Sequence, residues 1–374
     1  MKASELFIKC LENEGVRQVY GVPGEENVDI LEALRGSKIN FVTTRHEQGA
    51  AFMADVEGRL TGNVGVCLST LGPGATNLIT GVADAFLDRA PLLAITGQAS
   101  RDRLHKESHQ YIDIISLFKP LTKWNAQINT REVIAEVVRK AFKVAHTEKP
   151  GAVHIDVPED VMEEDAEGTP MKPQYPFLPE PLSEKIKQAV SIIGNSKKPA
   201  ILAGNGAIRL KASESLKNFA RKLNIPVVST YMGKGNMPDD EELSLFTTGI
   251  APRDHGVKAL RKADLIIAVG YDLVEFAPRN FNPFGNKKII HIDATPAEVD
   301  SFYEIACGVL GDIVISLSEI SASCRPFNEN WALDYRKKVI SEIEEHASDG
   351  SMPVKPQRLV YEIRRALAPD DILK

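Results

Sequence analysis

Short apolar segments alternate with longer segments of helical periodicity along most of the chain, and this alternation restricts the fold more than any other feature. The segment VGVCLST (64–70) is apolar almost throughout, as a strand buried on both faces of a parallel sheet requires. The segment VDILEALRG (28–36) has apolar residues at helical spacing and ends in glycine, which is typical of a helix and its C-terminus. Strands that alternate with helices indicate βαβ units. We therefore predict an α/β protein built from doubly wound parallel sheets.

The βα pattern occurs twice along the 374 residues, which predicts two domains of this class. The first series occupies 1–165 and the second occupies 183–325. Residues 166–182 between them are rich in proline and have no periodicity, as expected of a linker. The tail, 326–374, contains a charged helix, a second helix and, at 371–374, what we interpret as the beginning of a strand. We expect this tail to be a linker helix followed by the start of a truncated third domain.

The composition argues against several classes of function. The net charge is −6 at pH 7 and no run of basic residues occurs, so we expect no nucleic-acid partner. No apolar run reaches the ~18 residues of a membrane span, and the N-terminus lacks the apolar core of a signal peptide. The four cysteines are widely separated and form no CxxC pair, which argues against a zinc site and a disulfide framework. We expect a cytoplasmic protein that does not bind membranes.

Glu47 is the first candidate for a functional residue. It stands in FVTTRHEQGAAFMADVEGRLTG (41–62), between a basic pair and a run of small apolar residues. In the first turn of a helix, a carboxylate is favoured by the helix dipole by roughly 0.3–1 kcal/mol, so an ordinary solvated charge is one interpretation. A carboxylate buried against a ligand is the other. The spacing is not HExxH, which excludes the zinc protease motif.

Two glycine-containing segments each join an apolar strand to a helix. They are GVPGEEN (21–27) and STLGPGATN (69–77). Glycine allows a tight turn and the close approach of a ligand to the backbone, and ligands bind at the carboxyl ends of parallel strands. For either segment alone, a βα turn without a ligand is the favoured interpretation. Neither segment is a phosphate loop, since neither contains GKS or GKT.

Two further segments have weaker signals. AGNGAIR (203–209) follows a strand and resembles half of a dinucleotide fingerprint, but it lacks the third glycine. We predict that it opens a loop, and a structural turn is the favoured interpretation. The segment 104–125 is polar and irregular and contains His109, Gln110 and Lys123. It is typical of a surface connection between a strand and a helix.

Taken together, these segments resemble a known family. YGVPGEENVDILEAL, TRHEQGAAFMADVEGRLTG and VCLSTLGPGATNLITGVADAFLDRAPLLAITGQ follow one another in the order and spacing of the pyrimidine-binding domain of thiamine-diphosphate-dependent enzymes. The chain is most similar to the acetolactate synthase family. The resemblance continues through AILAGNGA, IPVVSTYMGKG and LIIAVGYDLVEFAPRNFN, so that it covers nearly the whole chain. It implies a pyrimidine-binding domain at 1–165 and a central Rossmann-like domain at 183–325.

The resemblance implies a role for Glu47. In the family the corresponding carboxylate hydrogen-bonds N1′ of the aminopyrimidine, and burial among small apolar residues favours its protonated form. The cofactor carries the carbanion chemistry, and the protein supplies position and electrostatics. Further residues are implied to approach the pyrimidine across a subunit interface or to line the same cleft: Gly21, Pro23, Gly24, Gly72, Gly74 and Asn77. His109, Gln110 and Lys123 are implied to lie on the substrate side, with Glu47, Gln110 and Lys123 as catalytic residues.

The implied reaction is the decarboxylation of pyruvate, a 2-keto acid, and its addition to a second pyruvate, which gives 2-acetolactate. The cofactors would be thiamine diphosphate and Mg²⁺. The family holds the metal with a GDG motif of a third domain, and because no GDG occurs here, we expect no metal ligands in this chain and no turnover by the chain alone. The pair His109-Gln110 resembles the flavin-free catabolic members, so FAD is the less expected cofactor. Members form at least dimers, which implies a homodimer or homotetramer.

Two alternatives remain open at this point. One is another thiamine-diphosphate enzyme, such as a pyruvate oxidase, a sulfoacetaldehyde acetyltransferase or a 2-keto acid decarboxylase. The other is a non-catalytic binding module made of two nucleotide-binding-like domains, which the missing GDG motif favours.

Overall fold

The chain divides into two compact units, Met1–Phe177 and Leu178–Lys374, each with a six-stranded sheet. The computed structural model describes residues 1–174, 176–249, 254–368 and 370–371. All strand pairs are parallel and helices flank both sheets, so the predicted α/β class with two parallel sheets is confirmed. The division falls within the segment predicted to be a linker.

The first unit has the sheet order β2-β1-β3-β4-β6-β5. Its strands are β1 (Gln18–Gly21), β2 (Asn40–Thr43), β3 (Gly65–Ser69), β4 (Leu92–Gln98), β5 (Trp124–Gln127) and β6 (Ala152–Pro158). Its helices are α1 (Ala3–Asn13), α2 (Val28–Arg35), α3 (Glu47–Thr61), α4 (Pro73–Leu87), α5 (Ile114–Phe118), α6 (Ile134–His146) and α7 (Glu159–Glu163). Every residue of β3, β4 and β6 is buried, which explains why most of their residues are apolar.

The small residues around Glu47 allow helix α3 to pack closely on its neighbours. A Cβ built on Gly65 of β3 would lie 1.9 Å from the Ala54 carbonyl oxygen of α3, and one built on Gly81 of α4 would lie 2.6 Å from Ala51 Cβ. Larger side chains at these contacts would separate the helix from the sheet. The run GAAFMA after Glu47 therefore has a structural cause in the packing of α3 between β3 and α4.

The second unit has the sheet order β12-β11-β10-β7-β8-β9. Its strands are β7 (Pro199–Ala203), β8 (Val227–Thr230), β9 (Ser244–Thr248), β10 (Leu265–Val269), β11 (Lys288–Asp293) and β12 (Cys307–Leu310). Its helices are α8 (Ser183–Gly194), α9 (Asn205–Arg209), α10 (Ser213–Leu223), α11 (His255–Lys262), α12 (Ile313–Ser323), α13 (Leu333–Ala347) and α14 (Pro356–Ala366).

The structure corrects three sequence-based expectations. AGNGAIR opens the short helix α9 rather than a loop, and a Cβ built on Gly206 would lie 2.7 Å from the Gly270 carbonyl oxygen, so this glycine is required for packing. The segment 104–125 is only partly irregular, because it contains α5 and the first residues of β5. Strands β5, β9 and β12, which the sequence did not predict, are all at sheet edges. Most of the strand expected at 371–374 lies outside the described residues.

No helix in the part of the chain that the structure describes is long and apolar enough to cross a membrane.

Candidate active site

The two glycine turns meet at the carboxyl edge of the first sheet. They follow β1 and β3, which are adjacent and parallel. A Cβ built on Gly24 would lie 2.4 Å from Thr70 Cβ, and one built on Gly74 would lie 2.8 Å from Thr70 Cγ2. Gly21 packs against the next strand in the same way, since a Cβ built on it would lie 2.4 Å from the Leu68 carbonyl oxygen. These contacts leave no room for a side chain on any of the three glycines. The two turns therefore fit together only with glycine at these three positions.

Glu47 is directed at these turns. It begins α3, which follows β2 after a connection of three residues, and the preceding His46 accepts a hydrogen bond from the Gln48 N–H as the N-cap. The Asn77 side chain donates to Glu47 Oε2 at 3.0 Å, and a Cβ built on Gly74 would lie 3.5 Å from Glu47 Oε1. The carboxylate is therefore oriented by an amide from α4. We refer to Glu47, Asn77 and the turns 21–27 and 69–77 as the candidate site.

The expectation that Glu47 is fully buried is wrong for the isolated chain. Its side chain is half-buried, because the start of α3 lies at the open edge of the sheet. The small residues that follow Glu47 pack α3 against β3 and α4 and do not enclose the carboxylate. The acid is thus positioned by Asn77 but still accessible, as a group that meets a ligand must be.

A second pair of polar side chains joins the two turns. The Thr70 hydroxyl donates to Glu26 Oε2 at 2.6 Å, and Glu26 is only 8% exposed. Sequence reasoning did not single out either residue. In the sequence, these two residues are marked only by their position inside the two glycine segments, where a buried polar side chain needs a hydrogen-bond partner.

The structure also places Gln110 beside the candidate site. A Cβ built on Gly72 would lie 2.5 Å from the Gln110 carbonyl oxygen, and Gly72 has a φ of +54°. His109 and Gln110 are both exposed, so their side chains are available to a ligand. Pro23, also exposed, lies in the first turn.

The structure does not bring Lys123 to the candidate site. Lys123 directly precedes β5, and its N–H donates to the Ala152 carbonyl at the start of β6. It is therefore at the amino edge of the sheet, whereas the candidate site is at the carboxyl edge. Its ammonium group donates to the carbonyl groups of Val144 and Thr147 at 2.6 and 2.5 Å. The prediction that Lys123 joins Gln110 on the substrate side is corrected, and the ammonium instead caps the end of α6.

A buried carboxylate, Asp156 of β6, lies near the same edge. It accepts hydrogen bonds from the Thr96 hydroxyl (2.6 Å), Gln127 Nε2 (2.8 Å) and Gln98 Nε2 (3.3 Å). Burial raises the pKa of Asp156 to about 6, although these three hydrogen bonds oppose the increase. His154 lies on the other side of Thr96, with its Nε2 atom 2.8 Å from the hydroxyl oxygen. Burial lowers its pKa to about 3, so its ring is neutral.

Replacing Asp156 by Asn is expected to change the pH dependence of stability. The pKa of Asp156 is 3.8 in the unfolded chain and about 6 in the folded protein. At pH values between these two, the folded protein therefore binds this proton more tightly than the unfolded chain does. The contribution of Asp156 to stability is therefore largest at acid pH and falls as the pH rises through 6. The free energy of unfolding of Asp156→Asn minus that of the wild type should rise by roughly 2–3 kcal/mol from pH 4 to 7. Urea titrations at several pH values measure this difference, and a constant difference would contradict the raised pKa.

The candidate site can perform limited chemistry by itself. A half-exposed carboxylate held by an amide can accept a hydrogen bond from a ring nitrogen or share a proton with it. The space that side chains of Gly24 and Gly74 would occupy is filled by Thr70, so the two turns lie close together beside this carboxylate. Among the described residues, no group of three or more His, Cys, Asp or Glu could hold a metal ion.

Two family models match the chain. Residues 1–117 match the model described as the thiamine pyrophosphate enzyme, N-terminal TPP binding domain, and residues 186–320 match the thiamine pyrophosphate enzyme, central domain. Thiamine pyrophosphate is a synonym of thiamine diphosphate. The first match contains both glycine turns, Glu47 and Gln110.

Curated relatives extend the similarity over the whole chain. The chain is 39% identical to a probable acetolactate synthase large subunit of Methanocaldococcus jannaschii, over 98% of this chain and 64% of the relative. It is 33% identical to the acetolactate synthase large subunit of Corynebacterium glutamicum, over 100% and 61%. It is 32% identical to the acetolactate synthase of Bacillus subtilis, over 98% and 65%. The chain thus spans less than two thirds of the length of each relative.

Proposed function

Because the chain belongs to the thiamine pyrophosphate enzyme family, whose N-terminal and central domains it contains, we propose that it functions in acetolactate synthesis. The reaction is the decarboxylation of pyruvate and the joining of the resulting two-carbon unit to a second pyruvate. The observation that carries the proposal is the Glu47 carboxylate, which Asn77 orients at 3.0 Å toward the two glycine turns. The names of the relatives, all acetolactate synthases, support the choice of reaction.

The residues present fit the pyrimidine part of thiamine diphosphate. The ring has a nitrogen that can share a proton with a carboxylate, and Glu47 is half-exposed and oriented by an amide. Gly24 and Gly74 pack on Thr70 and so hold the two turns together beside this carboxylate. When bound, this cofactor supplies a stabilised carbanion at its thiazolium ring.

The chain's own residues then have distinct roles in the proposal. Glu47 holds a proton at the ring nitrogen, and Asn77 fixes the direction of its carboxylate. The glycine turns, including Pro23, position the ring. Gln110, with His109 next to it, faces the substrate side from the edge of the second turn. Lys123 has no part in this site.

We include Mg²⁺ in the proposal, because a diphosphate needs a divalent cation to offset its charge. Its ligands are not provided by a cluster among the described residues.

The proposed domains are 1–165 for pyrimidine binding and 183–325 as the central domain. Cleavage by a protease within 166–182 should therefore leave two folded fragments.

The proposed function is tested by measuring acetolactate formed from pyruvate in the presence of thiamine diphosphate and Mg²⁺. The chain is assayed alone and joined to the C-terminal segment of the M. jannaschii relative that lies beyond the matched region. Acetolactate from either preparation supports the proposal. Formation of acetaldehyde or acetyl phosphate instead would favour another member of the family, and the absence of any product from both would overturn the enzymatic proposal.

We also propose that the central domain binds no flavin, in agreement with the His109-Gln110 pair. The carboxylate of Glu275 accepts the backbone N–H of Asn205 at 3.0 Å and that of Asp272 at 3.0 Å, and it is only 8% exposed. These amides follow β7 and β10, the region where doubly wound domains bind the phosphates of dinucleotides. Since a buried carboxylate already uses them, a phosphate would be repelled. Flavin absorbance in the purified protein would contradict this.

An exposed apolar stripe on α3 supports a homodimer. Met53, Val56 and Leu60 are 48%, 49% and 81% exposed and lie on one face of the helix that begins with Glu47.

We expect the protein to be a dimer. Leu60→Glu should shift it toward the monomer, because a charge at an apolar interface is costly. Light scattering after size-exclusion chromatography measures the mass. Val299→Glu, at an apolar residue of the second unit that is 92% exposed, is the control and should remain dimeric. A dimeric Leu60→Glu variant would show that the stripe is not the interface.

A further inference from the structure

A buried amide connects the first sheet to the segment that carries Gln110. Gln98, at the end of β4, is 1% exposed. Its Nε2 donates to Asp156 Oδ2 and to the Ile112 carbonyl, each at 3.3 Å, and its Oε1 accepts the Ala99 N–H at 2.9 Å. Both the nitrogen and the oxygen of this amide are thus engaged inside the protein, as a buried polar group requires.

The segment 104–113, called the Gln110 loop below, has little burial to define its conformation. His109 and Gln110 are exposed, and Gln110 has a φ of +56°, in the left-handed region that residues other than glycine seldom adopt. Arg103 donates to the His109 carbonyl at a long distance, 3.5 Å. A loop with few buried contacts and an unfavourable backbone angle keeps its conformation only where specific contacts hold it.

The conformation of this loop matters because of what it contacts. The carbonyl oxygen of Gln110 lies 2.5 Å from where a Cβ of Gly72 would be, so the loop lies directly on the second glycine turn. That turn leads into the first turns of α4, which carries Asn77. A displaced loop would therefore remove Gln110 from the edge of the candidate site.

We propose that Gln98 is a positioning residue: the Asp156 carboxylate orients its amide, which holds the Ile112 carbonyl and so keeps the Gln110 loop against Gly72. The part of this proposal that concerns the substrate rests on the proposed function, because Gln110 has its role there. The hydrogen bonds that hold the loop do not depend on it. In this proposal Gln98 acts through Gln110.

Two substitutions separate hydrogen bonding from the filling of space. Gln98→Glu keeps the shape of the side chain but places a carboxylate against two acceptors, Asp156 and the Ile112 carbonyl, so it breaks both bonds. Gln98→Ala removes the side chain. Asn125→Ala is the matched control, since the Asn125 amide donates to the Ile115 carbonyl at 2.6 Å, inside α5 and beyond the loop.

The test is amide hydrogen exchange of the full chain, read by mass spectrometry on peptides that cover 104–113. We expect Gln98→Glu and Gln98→Ala to exchange about tenfold faster there than the wild type, a factor typical of the loss of one buried hydrogen bond. Asn125→Ala should leave exchange of 104–113 unchanged. If Gln98→Glu exchanges at the wild-type rate, the positioning role is overturned.

A pH series provides a readout that a purely structural role would not change. In Gln98→Glu, acid pH protonates the new carboxyl group, which can then donate to the Ile112 carbonyl. The ratio of its exchange rate to that of the wild type at the same pH should fall toward one. Asp156 on β6 contacts residue 98, so it titrates as a pair with the new carboxyl group in Gln98→Glu, whereas the next nearest titratable groups, His154 on β6 and Asp113 before α5, are the same in both proteins. A ratio that is independent of pH would contradict the proposal. Since no cofactor or substrate is present, this result stands or falls separately from the enzymatic proposal.

Discussion

Glu47→Gln should lower the rate of acetolactate formation about a thousandfold, the typical contribution of a positioned proton donor or acceptor. Glutamine keeps the oxygen that accepts the hydrogen bond from Asn77 at 3.0 Å in the wild type, so the start of α3 should remain intact. It cannot share a proton with the ring nitrogen of the cofactor, because an amide does not titrate in this range. The rate is measured at saturating thiamine diphosphate and Mg²⁺, in whichever preparation of the wild type forms acetolactate.

The control for this variant is Glu32→Gln. Glu32 is an exposed carboxylate of α2 that pairs with Arg35, and the same chemical change there should leave the rate unaltered. Thermal unfolding of both variants shows whether either has lost its fold. A Glu47→Gln enzyme with more than about a tenth of the wild-type rate, far above what the loss of a catalytic acid or base permits, would rule out the role assigned to this carboxylate.

Gly65→Ala should lower the free energy of unfolding by roughly 3 kcal/mol, at the upper end for an overpacked core. The new Cβ would lie 1.9 Å from the Ala54 carbonyl oxygen and 2.7 Å from its carbonyl carbon. Both atoms belong to the backbone of α3, so the whole helix has to move away from β3. Because α3 begins with Glu47, the same shift should also separate this carboxylate from Asn77. Urea unfolding measures the loss of stability.

Gly49→Ala is the matched control for Gly65→Ala. Gly49 lies in α3 itself, and a Cβ built on it has nothing within 4 Å. The substitution should be neutral or stabilise the protein by up to about 1 kcal/mol, because alanine favours the helix over glycine. If Gly65→Ala were as stable as Gly49→Ala, the close approach of α3 to β3 would not be as the structure shows.

Local sequence patterns predicted most of the secondary structure, and the strands that they missed have a common position. Central strands such as β3 are buried on both faces, so their sequences are continuously apolar and easy to identify. Strands β5, β9 and β12 lie at sheet edges, where a short strand has no need for such a run. The sequence of β5, WNAQ, has neither an apolar run nor clear alternation.

The candidate site was predicted in part, through the resemblance of its motifs to a family. Glu47, Gly24, Gly72, Gly74, Asn77 and Gln110 are brought together at one edge of the first sheet. The resemblance indicated neither the partnership of Thr70 with Glu26 nor the buried network around Asp156. Such pairs join residues far apart in the chain, and no local pattern records them.

The sequence by itself determined the α/β class, the two series of βα units and the glycine turns, because periodicity and turn chemistry depend on neighbouring residues. Only the tertiary structure decided which of the chosen polar residues share an edge. Lys123 and Gln110 are close in sequence, yet Lys123 precedes β5 whereas Gln110 contacts the turn that follows β3. In a parallel sheet the start and the end of a strand lie at opposite edges, so strand direction and order, rather than sequence distance, separate the two side chains.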